Sequence, residues 1–404
     1  QIPEFDFNFE GRAGKFRIKE NIDASTTIES AKFRGNFNQD KGILRVDNFQ
    51  INMGDDGILK IRKPITHNWK VRKISLVGSY YLNYGLIEID AFQFNDKDST
   101  FNTTATIQEF DDEFSFELGV KASNLLVNNI SEVWPENWHS VIRTWLVKNL
   151  NDGVIGVAQG RFSGTYSVQN GIEIKTSLGS MNYSNMSIDY LESMPRATGG
   201  IGHIKFNENK FEILISEGRS GKIDIKTGRI IFSGLKNFDQ YADVDLNLEG
   251  PLGSTIKVLS NSLPRSNRLL ELSKSNIKGD LKAKLKLNFL VETKTTAEMV
   301  NGFLNARLKN VEIPKLPFNL NLLKGDLNLI ADNKSMKIMG FGDIGGAKTD
   351  IVWEESFLDN SAYARKYSII SKLVDKIWVK NLGLNFMPFT NEFITGTVGL
   401  RLNI

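Results

Sequence analysis

Strict alternation of apolar and polar residues recurs along almost the whole chain, and it restricts the fold more than any other feature. The clearest run is Leu281-Lys282-Ala283-Lys284-Leu285-Lys286-Leu287-Asn288-Phe289. Successive side chains of a β-strand point to opposite faces of its sheet. The run therefore predicts a strand with one apolar face and one polar face.

Short clusters of turn-forming residues separate the alternating runs. They lie at 38–42, 54–57, 95–98, 169–171 and 207–209 and are rich in Asn, Asp and Gly. These residues favour tight turns, so the pattern predicts an antiparallel meander of hairpins. Open sheets of more than about 10 strands tend to curl or split. We therefore expect a mainly β fold, an elongated and strongly curled antiparallel sheet that forms a taco-like groove, with one or two short helices.

Two segments break the alternation. In the first, Trp138, Val141 and Trp145 fall at helical spacing and predict a helix over 136–150, with Gly153 as its stop. In the second, leucines that follow Pro264 predict a short helix within 259–275. We expect one extended segment, 1–404, of a larger protein. Its predicted subregions are a β meander at 1–125, a helical insert at 126–152, β structure at 153–258, the short helix, and β structure at 276–404.

Composition excludes several classes of protein. Lys and Arg total 50 against 47 Asp and Glu, a net charge of +3, which is too small an excess to predict a nucleic-acid partner. The chain has no cysteine, which excludes disulfides and thiolate metal ligands. It has no apolar run of about 18 residues, the length that a membrane-spanning helix requires. Residue 1 is Gln and 1–10 is strand-like, so we expect an internal or trimmed piece whose anchor lies elsewhere.

Residues that carry catalytic chemistry are sparse. The histidines, His67, His139 and His203, form no HExxH or HxH spacing, so each is interpreted as a surface or core residue. Ser163 lacks the flanking residues of a nucleophile elbow. We therefore expect no catalytic, cofactor-binding or metal site and no enzyme. Carboxylates distant in sequence can meet in a fold, so an enzyme acting on glycan or lipid stays a third hypothesis.

Glycine-rich and acidic stretches have structural interpretations as well. The stretches at 199–202 and 340–346 match neither GxGxxG nor the phosphate-binding loop in a strand-to-helix context. They are predicted to be strand bends or bulges. Asp111-Asp112-Glu113 is predicted to be a solvated turn, because one loop rarely supplies the six to eight oxygens that calcium takes.

Two blocks of sequence resemble AsmA-like proteins of the YhdP type. The first block contains Val133-Trp134-Pro135-Glu136-Asn137-Trp138, Arg143-Thr144-Trp145-Leu146-Val147-Lys148-Asn149-Leu150, Asp152-Gly153 and Gly160-Arg161-Phe162-Ser163-Gly164. The second contains the glycine-rich stretch at 340–348, Val352-Trp353-Glu354-Glu355, Phe357, Tyr363-Ala364-Arg365-Lys366-Tyr367 and Leu382-Gly383-Leu384. Both blocks stand in the order found in that family.

The resemblance implies a compartment and a function. It implies a periplasmic protein of a Gram-negative bacterium, anchored in the inner membrane by an N-terminal helix that is not present in this segment. It also implies a β-taco related to bridge-like lipid transfer proteins, with roles in phospholipid transport and in outer-membrane biogenesis. Its partners would be the inner and outer membranes, contacted through parts outside this segment.

A sheet with one apolar face must bury that face against protein or ligand. With only two short helices expected, we predict an apolar groove for phospholipid acyl chains, lined by Phe114, Phe116, Leu118, Val120, Val244, Leu246, Leu248, Leu281, Ala283, Leu285, Leu287 and Phe289. For each residue, packing into protein core is an equally good interpretation. The alternative function is a structural or assembly factor of the envelope that assists outer-membrane protein biogenesis by β-strand contacts.

Overall fold

The computed structural model of the chain describes residues 4–403 with several gaps. Outside the described residues are 1–3, 15–16, 19–21, 25–27, 62–66, 97, 112, 134–139, 191–193, 238, 263–272, 292–298, 317–319, 359–363, 373–396 and 404. The chain divides into two compact units. The first unit comprises Gln1–Asp189 and Thr198–Glu212, and the second unit comprises Tyr190–Ala197 and Ile213–Ile404.

Strands dominate the first unit. In chain order they are β1 (Glu4–Gly14), β2 (Arg17–Ile18), β3 (Ile22–Ala24), β4 (Ile28–Asn38), β5 (Ile43–Asn52), β6 (Ile58–Ile61), β7 (His67–Lys70), β8 (Lys73–Tyr81), β9 (Leu86–Asn95), β10 (Thr100–Phe110), β11 (Glu113–Leu126), β12 (Leu150–Ser167), β13 (Gly171–Ile188) and β14 (Ala197–Asn207). The long strands pair antiparallel in the order β1-β4-β5-β8-β9-β10-β11-β12-β13. The short strands form a second antiparallel sheet in the order β2-β3-β6-β7.

Helical segments of the first unit lie between β11 and β12, apart from one short turn. They are the 3-10 turns Leu82–Tyr84 and Val127–Asn129 and the helices α1 (Ile130–Val133) and α2 (Ser140–Asn149). Helix α1 is attached to the small sheet, because Lys70 Nζ lies 2.7 Å from Glu132 Oε1 and His67 Nε2 lies 2.7 Å from the Glu132 carbonyl oxygen. The hydrogen bond and charge of Glu132 raise the pKa of Lys70.

The buried core of the first unit lies where the small sheet packs on one apolar region of the long sheet. Its members come from both sheets and the segments that join them: Ile28, Ile51, Met53, Leu59, Val71 and Ile74. Trp69 and Phe94 add aromatic contact across this interface, with ring centroids 6.4 Å apart. The small sheet therefore covers part of the apolar face of the long sheet.

The second unit continues the meander in strict chain order. Its elements are most of β15 (Lys210–Ser220), β16 (Ile223–Ser233), β17 (Tyr241–Pro251), α3 (Leu252–Ser262), β18 (Lys278–Leu290), β19 (Asn301–Leu316), β20 (Leu320–Asp332), β21 (Ser335–Ile344), β22 (Ala347–Ser356), β23 (Arg365–Lys372) and β24 (Thr397–Asn403). Each strand from β16 to β24 pairs antiparallel with the next.

The buried core of the second unit lies under helix α3. Leu252 on α3 joins buried residues from β18 to β22, among them Leu281, Leu308 and Leu322, and Ile256 packs on the same cluster. The spacing of Leu252 and Ile256 places both on one face of the helix. Helix α3 therefore covers one part of the apolar face of this sheet.

These observations confirm the mainly β, antiparallel architecture predicted from the alternation. The turn clusters at 38–42, 95–98, 169–171 and 207–209 each join two consecutive strands. Gly340 has φ +154° inside β21, and Gly345 and Gly346 form the turn to β22, as the predicted bends require. No described sheet is strongly curled, so the curled groove stays a prediction.

The first predicted helix, 136–150 with a stop at Gly153, does not have the same ends as the observed helix α2. Helix α2 ends at Asn149 and β12 begins at Leu150, while 134–139, including Trp138 and His139, lies outside the described residues. Gly153 is not the helix stop. It lies in β12 with φ +128°, and a Cβ there would be 2.9 Å from Met186 Cα on β13. Glycine is needed at this position for close backbone approach within the sheet.

The second predicted helix begins later than the one observed. Helix α3 starts at Leu252, directly after β17, and residues 263–272 lie outside the described residues. Its buried residues include Thr255 and Ser260 as well as Leu252, so apolar spacing alone does not mark this helix in the sequence.

Candidate functional site

The apolar face of the second unit is built from residues in register across neighbouring strands. Leu246, Leu285 and Leu304 occupy directly opposed positions on β17, β18 and β19, and the row continues through Ala331 and Met336. Opposed residues of antiparallel strands point to the same face and have their Cβ atoms about 5 Å apart. The five side chains therefore form one apolar row across five strands. We call this surface the second-unit face.

A neighbouring row runs parallel to the first. Leu248, Ala283, Ala306, Leu329 and Ile338 are opposed in the same way. On the other side of the first row, Val244 lies opposite Leu287 and Ala242 lies opposite Phe289. The second-unit face is therefore apolar along the length of β17 and β18.

Burial of this face falls steadily along β18. Leu281 is 4% exposed and Ala283 is 8% exposed, whereas Leu285, Leu287 and Phe289 are half-buried. The buried residues lie at the covered end, next to α3. We call the half-buried stretch from Leu285 to Phe289, with the half-buried Val244 and Leu246 opposite it on β17, the uncovered end; Ala242, opposite Phe289, is 0% exposed. The uncovered end offers apolar surface that the described residues do not fully bury.

The opposite face of the same strands is polar and carries cross-strand ion pairs. They include Lys282 with Glu249 at 2.8 Å, Lys284 with Asp245 at 3.3 Å, Arg307 with Asp326 at 3.1 Å, and Lys337 with Glu354 at 2.8 Å. The hydrogen bond from Lys337 lowers the pKa of Glu354. Exposed pairs of this kind contribute little stability each, but they keep this face hydrated.

The first unit has an apolar face of the same kind. On β11, Phe116 lies opposite Ile107 and Gly164, and Leu118 lies opposite Ala105 and Phe162. The Phe116 ring lies over Gly164, where a Cβ would be 3.0 Å from the ring Cζ.

Burial along β11 falls in the same way as along β18. Ala122 is 5% exposed, Val120, Leu118, Phe116 and Phe114 are half-buried, and the intervening Ser115 and Glu117 are exposed. The half-buried stretch from Phe114 to Val120 is called the first-unit face.

All the predicted lining residues lie within the described part of the chain. On each strand they lie on one face of the sheet, as the alternation predicts. Four of them, Phe114 to Val120 on β11, belong to the first-unit face. The remaining ones belong to the second-unit face, where the register of β17 with β18 brings Val244, Leu246 and Leu248 opposite Leu287, Leu285 and Ala283. Leu281 and Ala283 are buried in protein core, so at these two positions the core interpretation applies.

Two charged residues on the second-unit face were not predicted. Glu355 on β22 lies opposite Met336, and Arg365 on β23 lies opposite Glu355. The signal was present in the sequence, because Glu355 has the same parity as Trp353 in an alternating run. Successive residues of a strand face opposite sides, so one of the adjacent Glu354 and Glu355 has to lie on the apolar face. The pair of identical residues hid which of the two it is.

Other candidate residues have structural roles. Ser163 Oγ lies 2.7 Å from Thr176 Oγ1 on the adjacent strand and is exposed. His203 Nδ1 contacts Asn182 Oδ1. Asp111 has φ +54° in the turn between β10 and β11. Among the described residues, no group of three or more His, Cys, Asp or Glu side chains is placed to hold a metal ion.

A polar cavity of about 430 Å³ lies beside α3, at the covered end of the second unit. Its lining includes Lys257, Lys274 and Lys278. All three lysines are exposed, and Lys278 is paired with Glu312 at 2.9 Å. The cavity therefore resembles ordinary solvated surface more than a built anion site.

Comparison of the chain with protein-family models, with curated proteins and with solved structures found no match. The resemblance to AsmA-like proteins therefore stays a prediction from the two sequence blocks. Of these blocks, residues 134–139, 363 and 382–384 lie outside the described residues. Within the described part of the chain, no helix has the length and apolar character needed to span a membrane.

Proposed function

We propose that this chain is a segment of a periplasmic protein, anchored to the inner membrane, that conducts phospholipid toward the outer membrane. In this proposal the acyl chains lie on the first-unit face and on the uncovered end of the second-unit face. The observation that carries it is a row of apolar side chains in register across five strands, Leu246 to Met336, of which the residue on β18, Leu285, is only half-buried.

Acyl chains suit such a surface for a simple physical reason. Moving apolar surface out of water is favourable by about 0.8 kcal/mol per CH₂ group and requires no directional contact. A row of Leu and Phe side chains can therefore hold a hydrocarbon chain at many equivalent positions. Small free-energy differences between neighbouring positions allow the chain to slide.

The proposal includes the strongly curled, taco-like sheet predicted from the number of strands. A sheet curled around its apolar side would enclose the acyl chains and leave the ion-paired side in water. Sheets of many strands tend to curl because each strand is rotated against its neighbour by roughly 20–25°.

The compartment and direction of transport come from the resemblance to AsmA-like proteins. That resemblance also implies the inner-membrane anchor and the two membranes as partners. The proposed function involves no catalytic step, because the sequence contains no recognised catalytic motif.

Photocrosslinking at Leu287 tests the proposal against its alternative. Leu287 lies on the uncovered end, and Lys286 lies on the polar face of the same strand. A photoreactive amino acid is introduced at one or the other position. We expect lipid adducts at position 287 in cells and few at 286. Protein adducts at 287, from strands of outer-membrane proteins, would instead support an assembly factor. Equal adduct yields at both positions would contradict a lipid-bearing face.

A further inference from the structure

A charged pair ends the described part of the apolar row of the second-unit face. The row that includes Leu285 and Met336 continues to Glu355 and then to Arg365, which are directly opposed. Glu355 Oε1 lies 3.4 Å from Arg365 Nε. Because opposed residues point to the same side of a sheet, both charges lie on the face that is proposed to carry lipid.

The Glu355 carboxylate can accept a further hydrogen bond. Its side chain is 12% exposed, and its Oε2 atom is buried with no hydrogen-bond partner among the described residues. A buried acceptor without a donor costs roughly 1–3 kcal/mol, and more if it is charged. The adjacent Glu354 differs, because it lies on the polar face and both of its oxygens have lysine partners, at 2.8 and 3.9 Å. A donor supplied by a ligand would relieve the cost at Glu355.

Arg365 supplies the opposite charge beside this acceptor. Its side chain is 41% exposed, so its guanidinium is accessible from solvent. A guanidinium stays protonated and binds phosphate through two parallel hydrogen bonds. The pair therefore presents an acceptor for a cation and a donor for an anion at adjacent points of an apolar row.

We propose that Glu355 and Arg365 bind the head group of a phospholipid that carries a primary ammonium, such as phosphatidylethanolamine. The ammonium donates to Glu355 Oε2 and the phosphate accepts from Arg365, while the acyl chains lie along the row through Met336. This inference rests on the proposed function and adds a head-group preference to it. Phosphatidylcholine has the same phosphate but no N–H group, so it cannot satisfy Oε2.

Lipid competition tests the preference. Purified protein is incubated with vesicles that contain equal amounts of phosphatidylethanolamine and phosphatidylcholine with identical acyl chains, and bound lipid is quantified by mass spectrometry. We expect phosphatidylethanolamine to be enriched about 10-fold, as one charge-assisted hydrogen bond predicts. Glu355→Gln should bring the ratio close to one without changing the total lipid per protein. The matched control Glu354→Gln, on the opposite face, should keep the ratio of the wild-type protein.

The outcomes separate this inference from the proposed function. Bound lipid with a ratio near one in the wild-type protein would overturn the head-group site and leave the lipid-bearing face intact. An enrichment that persists in Glu355→Gln would overturn it as well. Failure of the wild-type protein to bind either lipid would overturn both proposals. The wild-type ratio decides the question even if Glu355→Gln does not fold.

Discussion

The alternating apolar residues of β18 lie in different environments at the two ends of the strand. At the covered end, Leu281 is 4% exposed and packs under α3 in the core cluster. Six residues along the same face, Leu287 is only half-buried. Since strand, face and residue type are the same, the difference comes from what covers the sheet. Alternation alone therefore specifies which side is apolar and does not specify whether protein covers it.

The two units reach this arrangement with different elements. In the first unit a small four-stranded sheet covers part of the face, with Val71 and Leu59 at the contact. In the second unit a single helix, α3, does so. Each unit leaves a half-buried apolar stretch, on β11 and on β18. Among the described residues, coverage of the apolar face is therefore local in both units.

The largest difference is expected in the loss of stability when a leucine is replaced by alanine at each end of β18. Leu281→Ala should lower the free energy of unfolding by about 2–4 kcal/mol, because it leaves a cavity in packed core. Leu287→Ala should lower it by about 1 kcal/mol or less, because the half-buried side chain is already partly in water. Urea denaturation followed by circular dichroism measures both. Equal losses would show that protein covers the two ends alike.

The next prediction concerns a charge on the uncovered end of the second-unit face. Leu285→Arg should reduce the lipid bound per protein by several-fold while the protein stays folded, because a guanidinium on the row must be desolvated beside an acyl chain. The matched control is Asn288→Arg on the polar face, where the new side chain meets Asp243, which now accepts a hydrogen bond from Asn288 at 2.7 Å. If both variants retain lipid equally, the row does not carry it.

A corresponding change tests the first-unit face separately. Phe116→Arg removes a ring that lies over Gly164 and should reduce lipid binding in part, since the second unit still offers its own face. Glu117→Arg, at the neighbouring exposed position, is the control. Quantified lipid extraction of the two variants makes the comparison. A loss of all bound lipid in Phe116→Arg alone would show that the second-unit face does not bind by itself.

The smallest effect is a pH dependence of the turn between β20 and β21, next to the row through Ala331 and Met336. Asp332 Oδ1 accepts hydrogen bonds from the backbone N–H groups of Lys334 and Ser335, both at 2.8 Å, and these lower the pKa of Asp332. The stabilisation is therefore present above the ordinary aspartate pKa of about 3.9 and is lost as the pH falls through the lower folded value.

Hydrogen exchange measures this effect. The Ser335 amide should lose protection below about pH 4 in the wild-type protein. In Asp332→Ala it should be weakly protected at every pH, and Leu281 should remain protected in both. Protection of Ser335 that does not change with pH would contradict the role of the carboxylate.

Much of the fold follows from the sequence, since parity and turn residues determine strand positions and faces. Leu281 to Phe289 alternate in the structure as the pattern predicts. The start of α3 could not be predicted from apolar spacing, because the buried positions of this helix include the polar residues Thr255 and Ser260. The small covering sheet of the first unit could not be predicted either, because strands as short as β3 carry little periodic signal. Glu355 was missed because two adjacent glutamates conceal the parity of the strand.

The most direct test of the central claim is the native mass of the purified wild-type protein after exposure to phospholipid vesicles. We expect mass additions that match intact phospholipids and that are released when the protein is unfolded. A spectrum that contains only the mass of the polypeptide, from a protein shown to be folded, would contradict a lipid-bearing face.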